Sequence, residues 1–217
     1  MPPIKRALIS TADKTGIIPL AKTLAELNID IVATGNTAKQ LRDSGIKVTN
    51  ISDFTGHPEI LGGRVKTLHP KVHGGILARR SQDQAECSQH HIQPIDLIIV
   101  NLYPFQQTID KPNCSFNEAI EQIDIGGPTM LRAAAKNHQD VTVVVDPRDY
   151  ATVLDEIRDQ HNTHLQTRKQ LAAKVFQLTA QYDSAIASYL ANDENTIATD
   201  TLQQYALQST LRYGENP

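Results

Sequence analysis

Short unbroken apolar runs alternate along this chain with stretches whose apolar residues recur every three or four positions, a pattern that predicts strands and helices in turn. Ala7-Leu8-Ile9 is a first strand ending at Ser10. After Asp13-Lys14-Thr15-Gly16, residues Ile17, Leu20, Ala21, Leu24 and Leu27 share one helical face, with Pro19 in the first turn, where a proline is tolerated. Ile29 to Ala33 predicts a second strand, Thr34-Gly35-Asn36-Thr37 a polar turn, and Ala38 with Leu41 a short helix stopping at Gly45. Lys47 to Ile51 predicts a third strand. Ile95 to Val100, apolar except for Asp96, reads as a central strand covered on both faces, and Val141 to Val145 as the last strand, followed by a helix to about His161.

Other elements rest on end signals. Ser115-Phe116-Asn117-Glu118 fits a capping box, and Pro128 sits where a helix from Thr129 to about Asn137 would start. From Gln166 the pattern changes: Leu171, Val175, Leu178, Tyr182, Ile186 and Tyr189 or Leu190 form the apolar face of one long helix, free to cover the sheet or a partner subunit. The fold class is therefore α/β, an open parallel sheet flanked by helices with a C-terminal helical extension. The expected division is a core over 1–165, the long helix over 166–191 and a tail over 192–217 with little pattern.

In a parallel sheet the strand C-termini and helix N-termini share one edge, where unpaired N–H groups and helix dipoles favour anions. To that edge the pattern assigns Ser10 with Asp13, Lys14 and Thr15, then Thr34 to Thr37, Asn101 with Tyr103, Asp124 to Gly127, and Lys136. Gly62 to Gly75 reads as a glycine-bracketed loop in which Arg64, Lys66 and Thr67 offer donors to an anionic oxygen. Singly, each has a plain explanation: solvated lysines, capping threonines, a Gly126-Gly127 turn. Their recurrence at successive strand ends points to a site for a phosphorylated small molecule.

Composition narrows the classes. The 217 residues carry a net charge of −3 with the cations dispersed, so nucleic acid is not an expected partner. No apolar run approaches the roughly 20 residues that span a bilayer, the first residues lack a secretory apolar segment, and there are two cysteines, so no membrane partner and a cytoplasmic location are expected. Among eight histidines, His69 and His73 are four apart, but Pro70 intervenes and no zincin glutamate or cysteine pair completes a set, so no metal is expected. The dinucleotide fingerprint and the P-loop are absent, and no cofactor is expected.

Six ordered motifs, Ser10-Thr11-Ala12-Asp13-Lys14-Thr15-Gly16, Thr34-Gly35-Asn36-Thr37-Ala38, Gly63-Arg64-Val65-Lys66-Thr67-Leu68-His69-Pro70, Asn101-Leu102-Tyr103-Pro104-Phe105, Asp124-Ile125-Gly126-Gly127 and Ala133-Ala134-Ala135-Lys136-Asn137-His138, closely resemble the inosine-monophosphate (IMP) cyclohydrolase domain of bifunctional purine-biosynthesis proteins. Ala12 and Asn36 depart from that pattern, where serine and glycine are usual. The resemblance implies a methylglyoxal-synthase-like fold and dehydrating ring closure of 5-formamidoimidazole-4-carboxamide ribotide (FAICAR) to IMP, without a cofactor and in a homodimer. It implies catalytic roles for Lys66, Tyr103, Asp124 and Lys136. Nucleotide contacts would come from Ser10, Ala12, Asp13, Lys14, Thr15, Thr34, Gly35, Asn36, Thr37, Arg64, Val65, Thr67, Asn101, Ile125, Gly126 and Gly127. Leu211-Arg212-Tyr213-Gly214-Glu215-Asn216-Pro217 resembles the opening of the transformylase domain normally fused behind, whose formyl transfer is not expected of this chain. A nucleotide-sensing module or a lyase of the methylglyoxal-synthase type are the alternatives.

Overall fold

The computed structural model describes residues 2–191. Five parallel strands, β1 (Arg6–Ser10), β2 (Asp30–Ala33), β3 (Thr49–Asn50), β4 (Leu97–Val100) and β5 (Thr142–Val144), form one open sheet in the order β3-β2-β1-β4-β5. Every residue of β4 is buried, as its apolar run requires of a strand covered on both faces. The expected third strand shrinks to two residues because it pairs only with β2, at the end of the sheet. Register aligns the strand ends: Ser10 lies beside Val100, Ile9 beside Ala33, and Ala33 beside Asn50.

The helices are α1 (Ile17–Glu26), α2 (Gly35–Asp43), α3 (Ile51–Thr55), α4 (Pro70–Leu77), α5 (Gln84–Gln89), α6 (Phe105–Ile109), α7 (Phe116–Glu121), α8 (Gly126–Lys136), α9 (Tyr150–Gln160) and α10 (Leu165–Ala191). Ile17, Leu20, Ala21 and Leu24 are the buried face of α1, and the Ser115 to Glu118 capping box opens α7 with both reciprocal hydrogen bonds present. Helix α8 starts at Gly126, ahead of the position that Pro128 suggests, since a proline is accommodated anywhere in a first turn. Helix α5 lies in the polar stretch between Arg79 and Gln93.

The glycine-bracketed stretch is not one loop. Helix α4 begins at Pro70 and takes in His73, Gly74 and Gly75, with the His69 Nδ1 accepting from the Lys71 N–H at 3.1 Å as its N-terminal cap. A Cβ on Gly74 would stand 2.8 Å from Ile92 Cδ1, and one on Gly75 2.5 Å from the Gln93 carbonyl oxygen. These two glycines let α4 lie against the approach to β4.

The long helix α10 packs with Leu171, Ala172 and Val175 into the main core. Farther along, Tyr182 and Tyr189 meet Phe105 edge-on at 6.2 and 5.7 Å, and Phe116 stacks on Tyr189 at 6.0 Å. That second cluster holds the segment carrying α6 and α7 beneath α10. Among the described residues no helix is long and apolar enough to cross a membrane. The tail expected over 192–217 lies outside the described residues.

Candidate functional site

Two groups of side chains assemble at the C-terminal edge of the sheet. The first surrounds the ends of β1 and β2. Ser10 Oγ and Thr34 Oγ1 share a hydrogen bond of 2.7 Å, so Thr34, although it precedes α2 in extended conformation, spends its hydroxyl on β1 and caps nothing. Thr37 is buried, and its Oγ1 accepts from Lys14 Nζ at 2.6 Å and from the Thr11 N–H at 3.3 Å. Lys14 Nζ also donates to the Thr11 carbonyl. Burial pushes the Lys14 ammonium below its usual range, with Asp13 pulling the other way. Gly35 and Asn36 are exposed in the first turn of α2.

Asn101, at the end of β4, is engaged at both ends of its carboxamide. Oδ1 accepts from the Ala12 and Asp13 N–H groups at 2.6 and 3.0 Å, and Nδ2 donates to the Asp13 carbonyl at 2.9 Å. The loop after β1 is thereby tied to β4, and Ala12, lacking a polar side chain, takes part through its backbone. Asp13 Oδ1 accepts from the Thr15 N–H at 2.9 Å and from the Thr15 hydroxyl at 2.7 Å, which holds the Asp13 carboxyl below its usual range.

The second group lies around Asp124. Ile60 and Val65 pair as an antiparallel bridge, so the chain doubles back through Leu61, Gly62 and Gly63, all at positive φ, and sets Glu59 opposite Lys66. Lys66 Nζ is 2.8 Å from Glu59 Oε1. Arg64 pairs with Glu121 of α7 on the exposed surface. Thr67 is buried, its hydroxyl 2.6 Å from where a Cβ on Gly126 would stand, so the first residue of α8 has to be glycine for Thr67 to sit against it.

Asp124 precedes α8 and accepts from the Gly127 N–H at 2.8 Å. Burial raises its pKa most, opposed by the Gly127 and Tyr103 N–H groups and by the charge of Lys66. A Cβ on Gly127 would lie 2.4 Å from Asp124 Oδ2. Tyr103 and Ile125 are exposed beside it, 51% and 55% accessible, so the carboxylate is sheltered while its rim faces solvent. The run from Asn101 to Tyr103 contacts both groups and links them through the chain.

Lys136 is not brought to this edge. It ends α8, and ten residues of helical rise put its backbone about 15 Å from Gly126. The next residue, Asn137, donates to the carbonyls of Ile76 and Ala78 at 2.8 and 3.1 Å, on the side where β5 begins. Two open clefts of about 740 and 620 Å³ also lie on that far side, lined by Arg79, Asp140 and their neighbours, and contain none of the Asp124 or Ser10 groups. Among the described residues no group of three or more His, Cys, Asp or Glu is placed to hold a metal ion.

Two residues that the sequence reading passed over belong to the site. Glu59 is one. The other is Tyr182, assigned simply to the apolar face of the long helix: its hydroxyl accepts from the Asp124 N–H at 2.8 Å and donates to the Gln122 carbonyl at 3.2 Å. The available signal was its type, since a tyrosine on a buried face needs a partner for its hydroxyl. Tyr182→Phe should leave the Asp124 N–H without its acceptor and cost about 1–3 kcal/mol, read as a lower urea midpoint.

Comparison with known proteins gives consistent neighbours. The MGS-like domain family matches residues 16–129, and the AICARFT/IMPCHase bienzyme family matches residues 134–217. The chain is 57% identical over 216 residues to the bifunctional purine biosynthesis protein PurH of Halalkalibacterium halodurans and 52% identical over 220 residues to that of Bacillus subtilis, covering 98% and 99% of this chain. The PurH of Acetivibrio thermocellus is 55% identical over 218 residues. The chain spans 42% of the length of each of these relatives. Among solved structures, the crystal structure of ForH superposes with a TM-score of 0.79 at 38% identity, covering 86% of this chain and 96% of that one.

Proposed function

The chain belongs to the MGS-like domain family, and we propose that it is the IMP cyclohydrolase part of a bifunctional purine-biosynthesis protein, closing the six-membered ring of FAICAR to IMP with loss of water. The observation that carries this reading is the sheltered Asp124 carboxylate ahead of α8, within reach of the Lys66 charge and on the same sheet edge as the Ser10, Lys14 and Thr37 cluster.

The chemistry asks an amide nitrogen, a poor nucleophile, to attack a formyl carbon. Proton removal from that nitrogen and stabilisation of the oxyanion formed at the formyl carbon are the two requirements. Asp124 takes the proton, its basicity raised by burial. Lys66 polarises the carboxamide oxygen, and Tyr103 with the N–H groups around Ile125 and Gly126 receives the oxyanion. Lys14, Ser10, Thr34 to Thr37, Arg64 and Thr67 hold the ribose phosphate and base, with Lys14 the one ammonium drawn into the first cluster.

The oxyanion takes the proton held by Asp124 and becomes a hydroxyl; its departure as water needs a second proton, which we assign to Lys136, and the lysine is restored by the proton that the former formamido nitrogen loses as the ring C=N bond forms. Because its own chain holds Lys136 on the far edge, the lysine that serves Asp124 comes from a second copy, and the functional unit is a homodimer. The bienzyme match through residue 217 supports 192–217 as the linker and opening of the transformylase domain. A cytoplasmic location belongs to the same proposal, supported by Cys87 and Cys114 both being free thiols.

Incubating the purified chain with freshly prepared FAICAR and following IMP by chromatography tests the reading. Saturable turnover without any added cofactor is expected. Tight nucleotide binding without turnover would instead make the site a sensor, and consumption of dihydroxyacetone phosphate in a parallel incubation would make it a lyase.

A further inference from the structure

We propose that Glu59 is a positioning residue for Lys66, holding its ammonium beside Asp124 in the geometry that ring closure uses. The proposal rests on the cyclohydrolase reading for the role of Lys66, but the pair itself stands on geometry. The bridge between Ile60 and Val65, with Ile60 N–H donating to Val65 O at 3.1 Å and Val65 N–H to Ile60 O at 3.4 Å, makes residues 59 and 66 the next facing positions. The Glu59 carboxylate reaches Lys66 Nζ at 2.8 Å.

The turn is built around that contact. Gly63 has φ +94°, and a Cβ there would lie 2.5 Å from Glu59 Oε1 and 3.4 Å from Lys66 Nζ. Any side chain at 63 would push the carboxylate away from the ammonium, which gives this glycine a reason beyond its dihedral angle. Leu61 accepts φ +54°, a strained value for a leucine, to close the same turn.

A flexible lysine with one anionic neighbour would follow that neighbour. Lys66 has two, Glu59 by direct contact and Asp124 through its charge. With Glu59 in direct contact and Asp124 near enough for the lysine's charge to act on it, the ammonium has less freedom than either neighbour alone would leave it. Glu59 touches no reacting atom in this arrangement. Its effect is to remove the conformational freedom of a four-carbon stem, and displacement of a catalytic group by about 1 Å can cost roughly 100-fold in rate.

The test combines turnover with a chemical probe. Glu59→Gln should lower kcat roughly 10- to 100-fold with KM changed less than about twofold, and Glu59→Asp, which keeps the charge but shortens the arm, should recover part of the loss. In a Lys66→Ala background, Glu59→Gln should have no further effect on kcat. Independently of activity, reductive methylation of Lys66 read by mass spectrometry should become several-fold faster in Glu59→Gln. Wild-type kcat in Glu59→Gln, or losses that multiply in the double variant, would overturn the positioning role. If wild type itself fails to turn over FAICAR, the cyclohydrolase reading falls, and an unchanged methylation rate then overturns the pairing as well.

Discussion

Asp124→Asn should reduce ring closure by roughly 10²–10⁴-fold, the range that a positioned general base contributes, while leaving the fold at least as stable as wild type. The two halves of this expectation share one cause. Burial raises the Asp124 pKa above that of an exposed aspartate, more than the Gly127 and Tyr103 N–H groups and Lys66 lower it. The folded chain therefore binds the Asp124 proton more tightly than the unfolded chain does. The stability this confers is fully present below the unfolded value and is lost as pH rises through the folded value. At neutral pH the ionised carboxylate is a net cost, and a neutral amide that still offers an oxygen to the Gly127 N–H removes it. The wild-type rate should fall on its acid side with a pKa above the usual 3.9 or so of aspartate, and that limb should be missing from the residual activity of the variant. A variant with near wild-type kcat, or one that unfolds at lower urea, would contradict this account of the site.

The base is thus set by what surrounds it, and much of that surrounding was unreadable from local pattern. Strands β1, β2, β4 and β5 follow from apolar runs because parallel strands covered by helices on both faces must be apolar on both. The first turn of α7 follows from a reciprocal hydrogen-bond pair confined to four residues. Long-range geometry leaves no such trace. Nothing local distinguishes Gly74 and Gly75, which accommodate Ile92 and the Gln93 carbonyl, from Gly63, which accommodates the Glu59 carboxylate. Tyr182 lies 58 positions from the Asp124 N–H that it anchors, and its helical spacing reads as core because most of its ring is core.

The candidate site was legible in its chemistry and less so in its layout. Ser10, Lys14, Thr34, Thr37 and Asn101 do converge, since strand ends in register bring successive loops together. Asn101, Asp13 and Thr15 spend their polar groups on one another and on the loop backbone, so they shape the cradle more than they line it. Lys136 reads as a member of the edge only while the direction of α8 is unknown. A helix that starts at the C-terminal edge of a parallel sheet must end at the other one.

That direction gives the second large effect its form. Lys136→Ala should lower kcat by roughly 10²–10⁴-fold if it protonates the departing oxygen, comparable to Asp124→Asn although Asp124 lies ahead of α8 and Lys136 at its far end, about 15 Å of helical rise from Gly126. In a homodimer that joins Asp124 of one copy to Lys136 of the other, the two lesions complement. A mixed dimer carries one site with both lesions and one with neither. Randomly exchanged equal mixtures of the two inactive variants should then recover about a quarter of wild-type activity, because half the dimers are mixed and half the sites in those are intact. Recovery should appear with the rate of subunit exchange and be absent when either variant is assayed alone. If mixed dimers form and no activity returns, Lys136 does not act across the interface and the second proton must come from another group.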